Sequence, residues 1–254
     1  MTRKAPGFSV AASGDSAFLV RLGTDISETT SDKVMAVLGA LDAARAETPG
    51  GFVDVVPGYA TVLVVFDPLL WAPARAVARI RHVVAEALAG EATDELRARR
   101  PVRVVEIPVL YDAAVAPDLV PLAEEKGLDL AAFVALHTAP LYRCHMLGFR
   151  PGFPFLGGLD ARLATPRLAT PRLSVAAGSV GIGGVQTGVY PTTGPGGWRV
   201  IGRTPMRLFD SDRVPPFLVE PGDRVRFVAV DRTAFEALER DSGSTIFKRA
   251  EAAA

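Results

Sequence analysis

The chain is poor in the side chains that most often carry thiol or metal chemistry: it holds one cysteine, Cys144, and three histidines. A single thiol excludes an internal disulfide framework and fits a reducing compartment. Neither sign of charge is in excess, with 28 Lys plus Arg against 28 Asp plus Glu in 254 residues. That balance argues against nucleic acid as a partner, because phosphate binding shows as a basic surplus; local arginine clusters can still bind a small anion. No uninterrupted apolar run approaches the length of a membrane span, and MTRKAPGFSV has no apolar core for a signal peptide. The expectation is a soluble, cytoplasmic protein that uses neither membrane nor nucleic acid.

Catalytic signatures are also missing. There is no GxxxxGK[ST], and in the glycine run from Gly178 to Gly188 position 186 is Gln where a dinucleotide fingerprint needs glycine. The surroundings read strand-turn-strand, so no helix N-terminus is offered to a phosphate. No GxSxG elbow and no Ser/His/Asp order occurs, and no paired carboxylates flank this region. His145 beside Cys144 has no further ligand at metal-binding spacing, so no metal is expected. Adjacent strand residues face opposite ways, which rules against a Cys-His nucleophilic pair. His82 falls on a helix surface. The chain therefore lacks a self-sufficient hydrolytic set, which fits a subunit that supplies part of a site.

What is present is a hydrophobic content of 49%, enough for one large domain or two small ones. Phe18, Val20 and Leu22 alternate as in a half-buried strand, and Val34, Val37, Leu38 and Leu41 mark one helical face from Ser27 to Thr48-Pro49. Phe52–Val56 and Thr61–Phe66 read as a hairpin across Pro57-Gly58. Pro73 opens a second helix with Val77, Ile80, Val83, Val84 and Leu88 on its apolar stripe. Val102–Val109 completes a β-α-β-β-α-β order, that of a ferredoxin-like unit. The charged GEATDELRARRP, with Arg97, Arg99 and Arg100 as solvated surface, leads to a boundary near residue 100. This gives an N-terminal domain over 1–100 and a second over 101–254. In the second, Asp118–Lys126 and LAAFVALHT, capped by Asp129, read as helices. LYRCHMLGF, MRLF and VRFVAV read as strands, and the residues after Asp241 as a fraying tail. Short strands with frequent Gly and Pro indicate a barrel or sandwich, so the fold class is α+β.

The chain is organised around Leu147–Pro205, where glycine and proline concentrate among aromatics and arginines. Gln186 and Thr187, an amide and a hydroxyl set among glycines, suit hydrogen bonding to a small ligand. The tandem pentads LATPR end in Arg167 and Arg172, which Thr-Pro turns would hold extended, as forks for carboxylate or phosphate. Tyr190 and Arg203 join this candidate binding set. Phe149, Phe153, Phe155 and Trp198 are candidate interface anchors, since aromatics dominate protein contacts. His137, at a helix end, is either a complement to the dipole or a proton carrier for amide chemistry.

GFRPGFPFLGGL, the paired TPR, AGSVGIGGVQTGVYP and PGGWRVIGRTP resemble, in order and spacing, the signature blocks of the KipI family, also called allophanate hydrolase subunit 1. Weaker resemblance extends over nearly the whole chain. The family includes the B subunit of prokaryotic 5-oxoprolinase. The resemblance implies a cyclophilin-like β-barrel, of the carboxyltransferase type, after a small KipI N-terminal domain. It also implies a complex that opens 5-oxo-L-proline to L-glutamate with ATP and Mg2+ as co-substrate. The implied partners are a KipA-family protein (allophanate hydrolase subunit 2) and a LamB/YcsF-family protein; this chain alone would hold no metal or organic cofactor. The family also implies two alternatives, inhibition of a sensor histidine kinase by binding, and a part in an allophanate or urea carboxylase-type complex. No amidase Ser-Ser-Lys set and no biotinylation motif occurs, so the chain is not itself an allophanate hydrolase.

Overall fold

The structure, a computed structural model, describes residues 7–47, 50–89, 103–241 and 250–251. The expected helix stop at Thr48-Pro49, the whole of the charged GEATDELRARRP run and the boundary near residue 100 lie outside the described residues. The chain divides into two compact units, Met1–Pro101 and Val102–Ala254.

The first unit contains β1 (Ser9–Ala12), β2 (Ala17–Arg21), α1 (Glu28–Glu47), β3 (Phe52–Pro57), β4 (Thr61–Phe66) and α2 (Pro73–Leu88). The alternation read in the sequence sets the buried face: Phe18 and Val20 from β2 with Val62, Val64 and Phe66 from β4. Val34, Val37 and Leu41 of α1 and Ile80, Val83 and Val84 of α2 pack with them in one core. The Ser27 hydroxyl accepts from Thr30 N–H at 3.2 Å and starts α1; Pro73 sits in the first turn of α2, where its missing N–H costs nothing.

The sheet is antiparallel in the order β1-β2-β4-β3. It is ferredoxin-like, but the edge strand beside β2 differs from the expectation. That place is taken by β1, not by the strand ending at Val109. β1 and β2 are joined by a short turn closed by Ser13 N–H to Ala17 C=O at 2.9 Å, and a local hairpin costs little loop entropy. The later strand is drawn into the second unit, where it is buried along most of its length.

The second unit runs β5 (Arg103–Val109), α3 (Leu119–Glu125), α4 (Leu130–Thr138), β6 (Tyr142–Leu147), β7 (Pro154–Gly157), β8 (Arg172–Val175), β9 (Ser179–Gly183), β10 (Gln186–Val189), β11 (Gly194–Gly196), β12 (Arg199–Arg203), β13 (Arg224–Ala229), α5 (Arg232–Asp241) and β14 (Ala250–Glu251). The main sheet has the order β12-β9-β10-β7-β6-β13-β5-β14, with only β13 and β5 parallel. Past the end of β5, Leu110 and Arg203 exchange two backbone hydrogen bonds, Leu110 N–H to Arg203 C=O at 2.8 Å and the reverse at 3.0 Å. These join the end of β5 to β12 and curl the sheet into a barrel, with β14 an outer strand beside the start of β5. β8 and β11 form a separate two-stranded ribbon.

Ile107, Val109, Leu156, Val180, Ile182, Val189, Ile201, Val225 and Phe227 fill the barrel with Leu119 and Leu122 of α3 and Phe133 of α4. Asp129 caps α4 as expected, its carboxylate accepting from Ala132 N–H at 2.7 Å. Three other expectations change. MRLF is not a strand; only Phe209 pairs, in an isolated bridge with Phe217. α5 is an element the sequence reading lacks, although Asp231 is its capping residue, accepting from Ala234 N–H at 2.8 Å. The tail does not simply fray, since Ala250 and Glu251 pair with β5.

The Leu110–Arg203 bridge is the seam of the barrel, and proline at position 110 would remove its donor. Leu110→Pro should destabilise the protein by about 2–3 kcal/mol. Amide exchange should report lost protection in β12 with β2 and β4 unchanged.

Candidate functional site: polar networks and an arginine-aromatic face

Three polar systems surround the region from Leu147 to Pro205. The first is internal to the barrel. His137, in the last turn of α4, is fully buried. Its Nδ1 lies 2.7 Å from the Tyr111 hydroxyl and its Nε2 lies 2.9 Å from Thr187 Oγ1. Thr187 has one proton, and donates it to the Gly181 carbonyl at 3.0 Å. Thr187 must therefore accept from His137, which places the imidazole proton on Nε2 and makes Nδ1 the acceptor from Tyr111. Tyr142 donates to the His137 carbonyl at 2.7 Å, and Phe227 stacks on the imidazole at 4.7 Å. Burial pushes the His137 pKa down to about 3 and raises the Tyr111 phenol well above its ordinary value. The ring is thus a neutral link running Tyr111 to His137 to Thr187 to Gly181. Both its nitrogens are occupied within the protein. Cys144 is buried in the same core, which pushes its thiol up and leaves it un-ionised.

The second system is a clamp. Asp118, just before α3, meets Arg172 through two hydrogen bonds of 2.8 Å each. The same carboxylate accepts from Val200 N–H at 2.6 Å, and Asp118 N–H donates to the Val200 carbonyl at 3.0 Å. This pairing raises the Arg172 pKa. The guanidinium expected to face a ligand therefore joins β8 to the start of α3 and to β12.

The third is a face of rings and arginines. Phe153, Tyr190 and Trp198 form a buried cluster with Val175 and Val200, flanked by Phe155. Phe153 is the hub, edge-on to Tyr190 at 5.2 Å and to Trp198 at 5.3 Å. Glycines make room for it: a Cβ on Gly183 would collide with the Trp198 indole, and one on Gly196 with the Tyr190 ring. The run Gly178–Gly188 is thus a β9–β10 hairpin turning at Gly184 (φ 67°), with room for an indole, and not a phosphate loop. Above the cluster stand Arg150, 5.3 Å from the Phe149 ring centre, and Arg167, 5.7 Å from that of Trp198.

The structure thus brings Arg167, Arg172 and Tyr190 together with the four aromatics. It sends Thr187 into the barrel with His137. Gln186 is buried on the opposite face of β10, as strand alternation requires. Arg203 turns its Nε to the Ala177 carbonyl at 3.3 Å and its Nη2 toward Glu239, 3.8 Å away. Of the residues expected at an interface, Phe149 is 62% exposed and Phe155 half-buried, whereas Phe153 and Trp198 are interior because each packs against the other. Tyr111, Asp118 and Arg150 are additions that the sequence reading does not contain. Arg150 had a signal, a guanidinium next to an aromatic in a Gly/Pro loop; Asp118 reads in sequence only as a helix start. Among the described residues no group of three His, Cys, Asp or Glu could hold a metal, and no helix is long and apolar enough to cross a membrane.

The curled barrel packed by α3 and α4, with its arginine-aromatic face, belongs to a domain class that the comparisons identify. Residues 8–219 match the carboxyltransferase domain, subdomain C and D. The chain is 38% identical over 236 residues to the B subunit of 5-oxoprolinase from Bacillus subtilis (strain 168), a match over 90% of this chain and 95% of that one. The crystal structure of TTHA0988 superposes with a TM-score of 0.72 at 40% identity, covering 85% of this chain and 40% of that chain. The urea carboxylase of Kluyveromyces lactis, at 20% identity, shares the fold with a TM-score of 0.71 over 92% of this chain and 23% of that chain. The chain belongs to the family of 5-oxoprolinase B subunits. It spans well under half the length of TTHA0988.

Three outcomes test these assignments. His137 stays neutral when folded but takes a proton near pH 6.5 when unfolded, so the unfolded state binds more protons between those values. Stability should be full above about pH 6.5 and fall toward pH 3, by up to about 1.4 kcal/mol per unit; urea unfolding at several pH values should show a shallower slope in His137→Gln. Asp118→Ala should cost roughly 2–4 kcal/mol by stranding Arg172 and Val200 N–H. Arg167→Ala, which breaks no hydrogen bond among the described residues, should leave the thermal midpoint within about a degree or two.

Proposed function

We propose that this chain is the B-type subunit of an ATP-dependent 5-oxoprolinase that opens 5-oxo-L-proline to L-glutamate together with KipA-type and LamB/YcsF-type subunits. The observation that carries this reading is the 38% identity along 95% of the 5-oxoprolinase B subunit of Bacillus subtilis. Two features support it. Both nitrogens of His137 and the Arg172 guanidinium are engaged within the barrel, so neither serves as a free hydrolytic group. TTHA0988 contains this fold as 40% of a longer chain, as suits a site shared with further polypeptide.

The chemical difficulty is an unreactive lactam. Transfer of the γ-phosphoryl group of ATP to the lactam oxygen makes the ring carbon electrophilic. Water then adds to that carbon, the ring C–N bond breaks with protonation of nitrogen to leave an acyl phosphate, and a second water hydrolyses the acyl phosphate, giving glutamate, ADP and phosphate. Negative charge is present or develops on carboxylate and phosphoryl oxygens throughout, and arginines and amide donors answer it. In this reading Arg167, Tyr190, Gln186 and Arg203 contact substrate or nucleotide, and Arg172 and Thr187 support them from the clamp and the barrel. His137 holds Thr187 and transfers no proton. Mg2+ arrives on the phosphate oxygens of the nucleotide, and the exposed Phe149 meets a partner polypeptide.

The test is reconstitution. The chain is purified alone and with its KipA-type and LamB/YcsF-type companions, and phosphate release is followed with and without 5-oxo-L-proline. The expected result is lactam-dependent ATP hydrolysis in the complete set alone. No stimulation in any combination would overturn the proposal and bring forward binding to a sensor kinase.

A further inference from the structure

The proposed substrate carries a carboxylate and the proposed co-substrate carries phosphates, and the arginine-aromatic face holds a set of groups suited to such an oxyanion. Tyr190 is only 1% exposed. Its oxygen accepts from Trp198 N–H at 3.3 Å, which leaves its own proton to donate, and no acceptor for it lies within reach among the described residues. Burial raises the Tyr190 pKa, so the hydroxyl stays protonated and a donor; the charges acting on it in the other direction are Arg167, Arg172 and Arg150.

Those three guanidiniums are not equivalent. Arg172 is neutralised by Asp118. Arg150 and Arg167 have no carboxylate partner among the described residues, yet both are held in place. Arg150 Nη1 donates to the Thr193 carbonyl at 2.9 Å and to Thr192 Oγ1 at 3.1 Å, which leaves Nη2 and Nε with donors to spare. Its guanidinium lies so close over Gly194 that a Cβ there would collide with it. Phe149, on whose ring it rests, adopts φ 63°, a left-handed conformation that is unfavourable for a non-glycine residue. That conformation belongs to a tight turn closed by Arg150 N–H to the Gly148 carbonyl at 2.6 Å, and it carries Arg150 toward Thr192 and Thr193. Arg167 is exposed and laid against Trp198. Two guanidiniums with no carboxylate partner among the described residues, both near enough to Tyr190 to act on its hydroxyl, and a hydroxyl with a proton to donate describe a receptor for negative charge.

We propose that Arg150, Arg167 and the Tyr190 hydroxyl form an oxyanion-binding site that takes a carboxylate or phosphoryl group, with Arg150 a binding residue additional to the motif arginines. The identity of the ligand rests on the oxoprolinase reading; the oxyanion chemistry stands without it. Arg172 and Asp118 are the frame of the site and touch no ligand.

Titration calorimetry on the full chain tests this with four probes: 5-oxo-L-proline, pyrrolidin-2-one (the same lactam without its carboxylate), inorganic phosphate, and sodium chloride at matched ionic strength. Saturable binding of 5-oxo-L-proline but not pyrrolidin-2-one identifies a carboxylate as the source of the oxyanion, and binding of phosphate identifies a phosphoryl group. Arg150→Ala and Arg167→Ala should each weaken the anion by at least about tenfold. Tyr190→Phe should weaken it by a smaller factor, and Arg150→Lys should recover part of the loss. Arg167→Ala removes no hydrogen bond among the described residues, so its result stands even if Arg150→Ala unfolds. Wild-type affinity in both alanine variants, binding of pyrrolidin-2-one equal to that of 5-oxo-L-proline, or no anion binding beyond that of chloride would overturn the proposal. Arginine-dependent anion binding without lactam-stimulated phosphate release in the reconstituted set would overturn the oxoprolinase reading and leave the site standing. Stimulated release that Arg150→Ala and Arg167→Ala leave unchanged in KM for both 5-oxo-L-proline and ATP would do the reverse.

Discussion

Asp118 is 6% exposed, and its carboxylate can be held there because three donors meet it: the two terminal nitrogens of Arg172 and the Val200 amide. An ionised group with fewer partners would not be tolerated at that depth. Through those bonds the start of α3, the ribbon strand β8 and the barrel strand β12 share one point of reference. Trp198 and Tyr190 lie beside it, and the two unpaired arginines rest above them. The cationic face therefore depends on an anion the protein supplies to itself, placed so that it cancels one arginine and leaves the others.

The barrel interior solves a different problem with the same economy of groups. β10 presents Thr187 to an apolar core, where an unsatisfied hydroxyl would cost about 1–3 kcal/mol. His137 and the Gly181 carbonyl satisfy it, and Tyr111 satisfies His137 in turn. The result is a directed chain of hydrogen bonds in which every proton has one place. It anchors α4 to the β9–β10 hairpin, whose glycines make space for Trp198 on the other face of the sheet. Networks of this kind specify a unique packing because any partial arrangement leaves a buried donor or acceptor unmet.

Much of the fold was legible because periodicity and turn chemistry are local. The stripes of α1 and α2, the alternation of β2 and β4, the Asp129 cap and the β9–β10 hairpin all follow from residues a few positions apart. β5 belongs to a different sheet from the one its sequence suggests, because a run such as RVVEIPV carries no record of which strands flank it; only its parallel partner β13, more than a hundred residues later, settles that. α5 is hard to read because its apolar stripe is short, although its Asp231 cap is a visible signal. MRLF has strand composition, but Pro205 precedes it and Pro215 and Pro216 precede its bridge partner Phe217, and prolines cannot extend a ladder.

For the site, the sequence by itself determined the family, the concentration of arginines and aromatics in one stretch, and the glycine positions that close packing demands. It could not assign roles to individual side chains. Arg167 and Arg172 end identical pentads, yet one meets a buried carboxylate fifty-four residues earlier in the chain and the other does not. Thr187 and Gln186 are neighbours, yet strand alternation sends one into the barrel and the other to its opposite face. Only tertiary structure decided these, because charge pairing and burial depend on which distant group arrives opposite, and identical local sequence places no constraint on that.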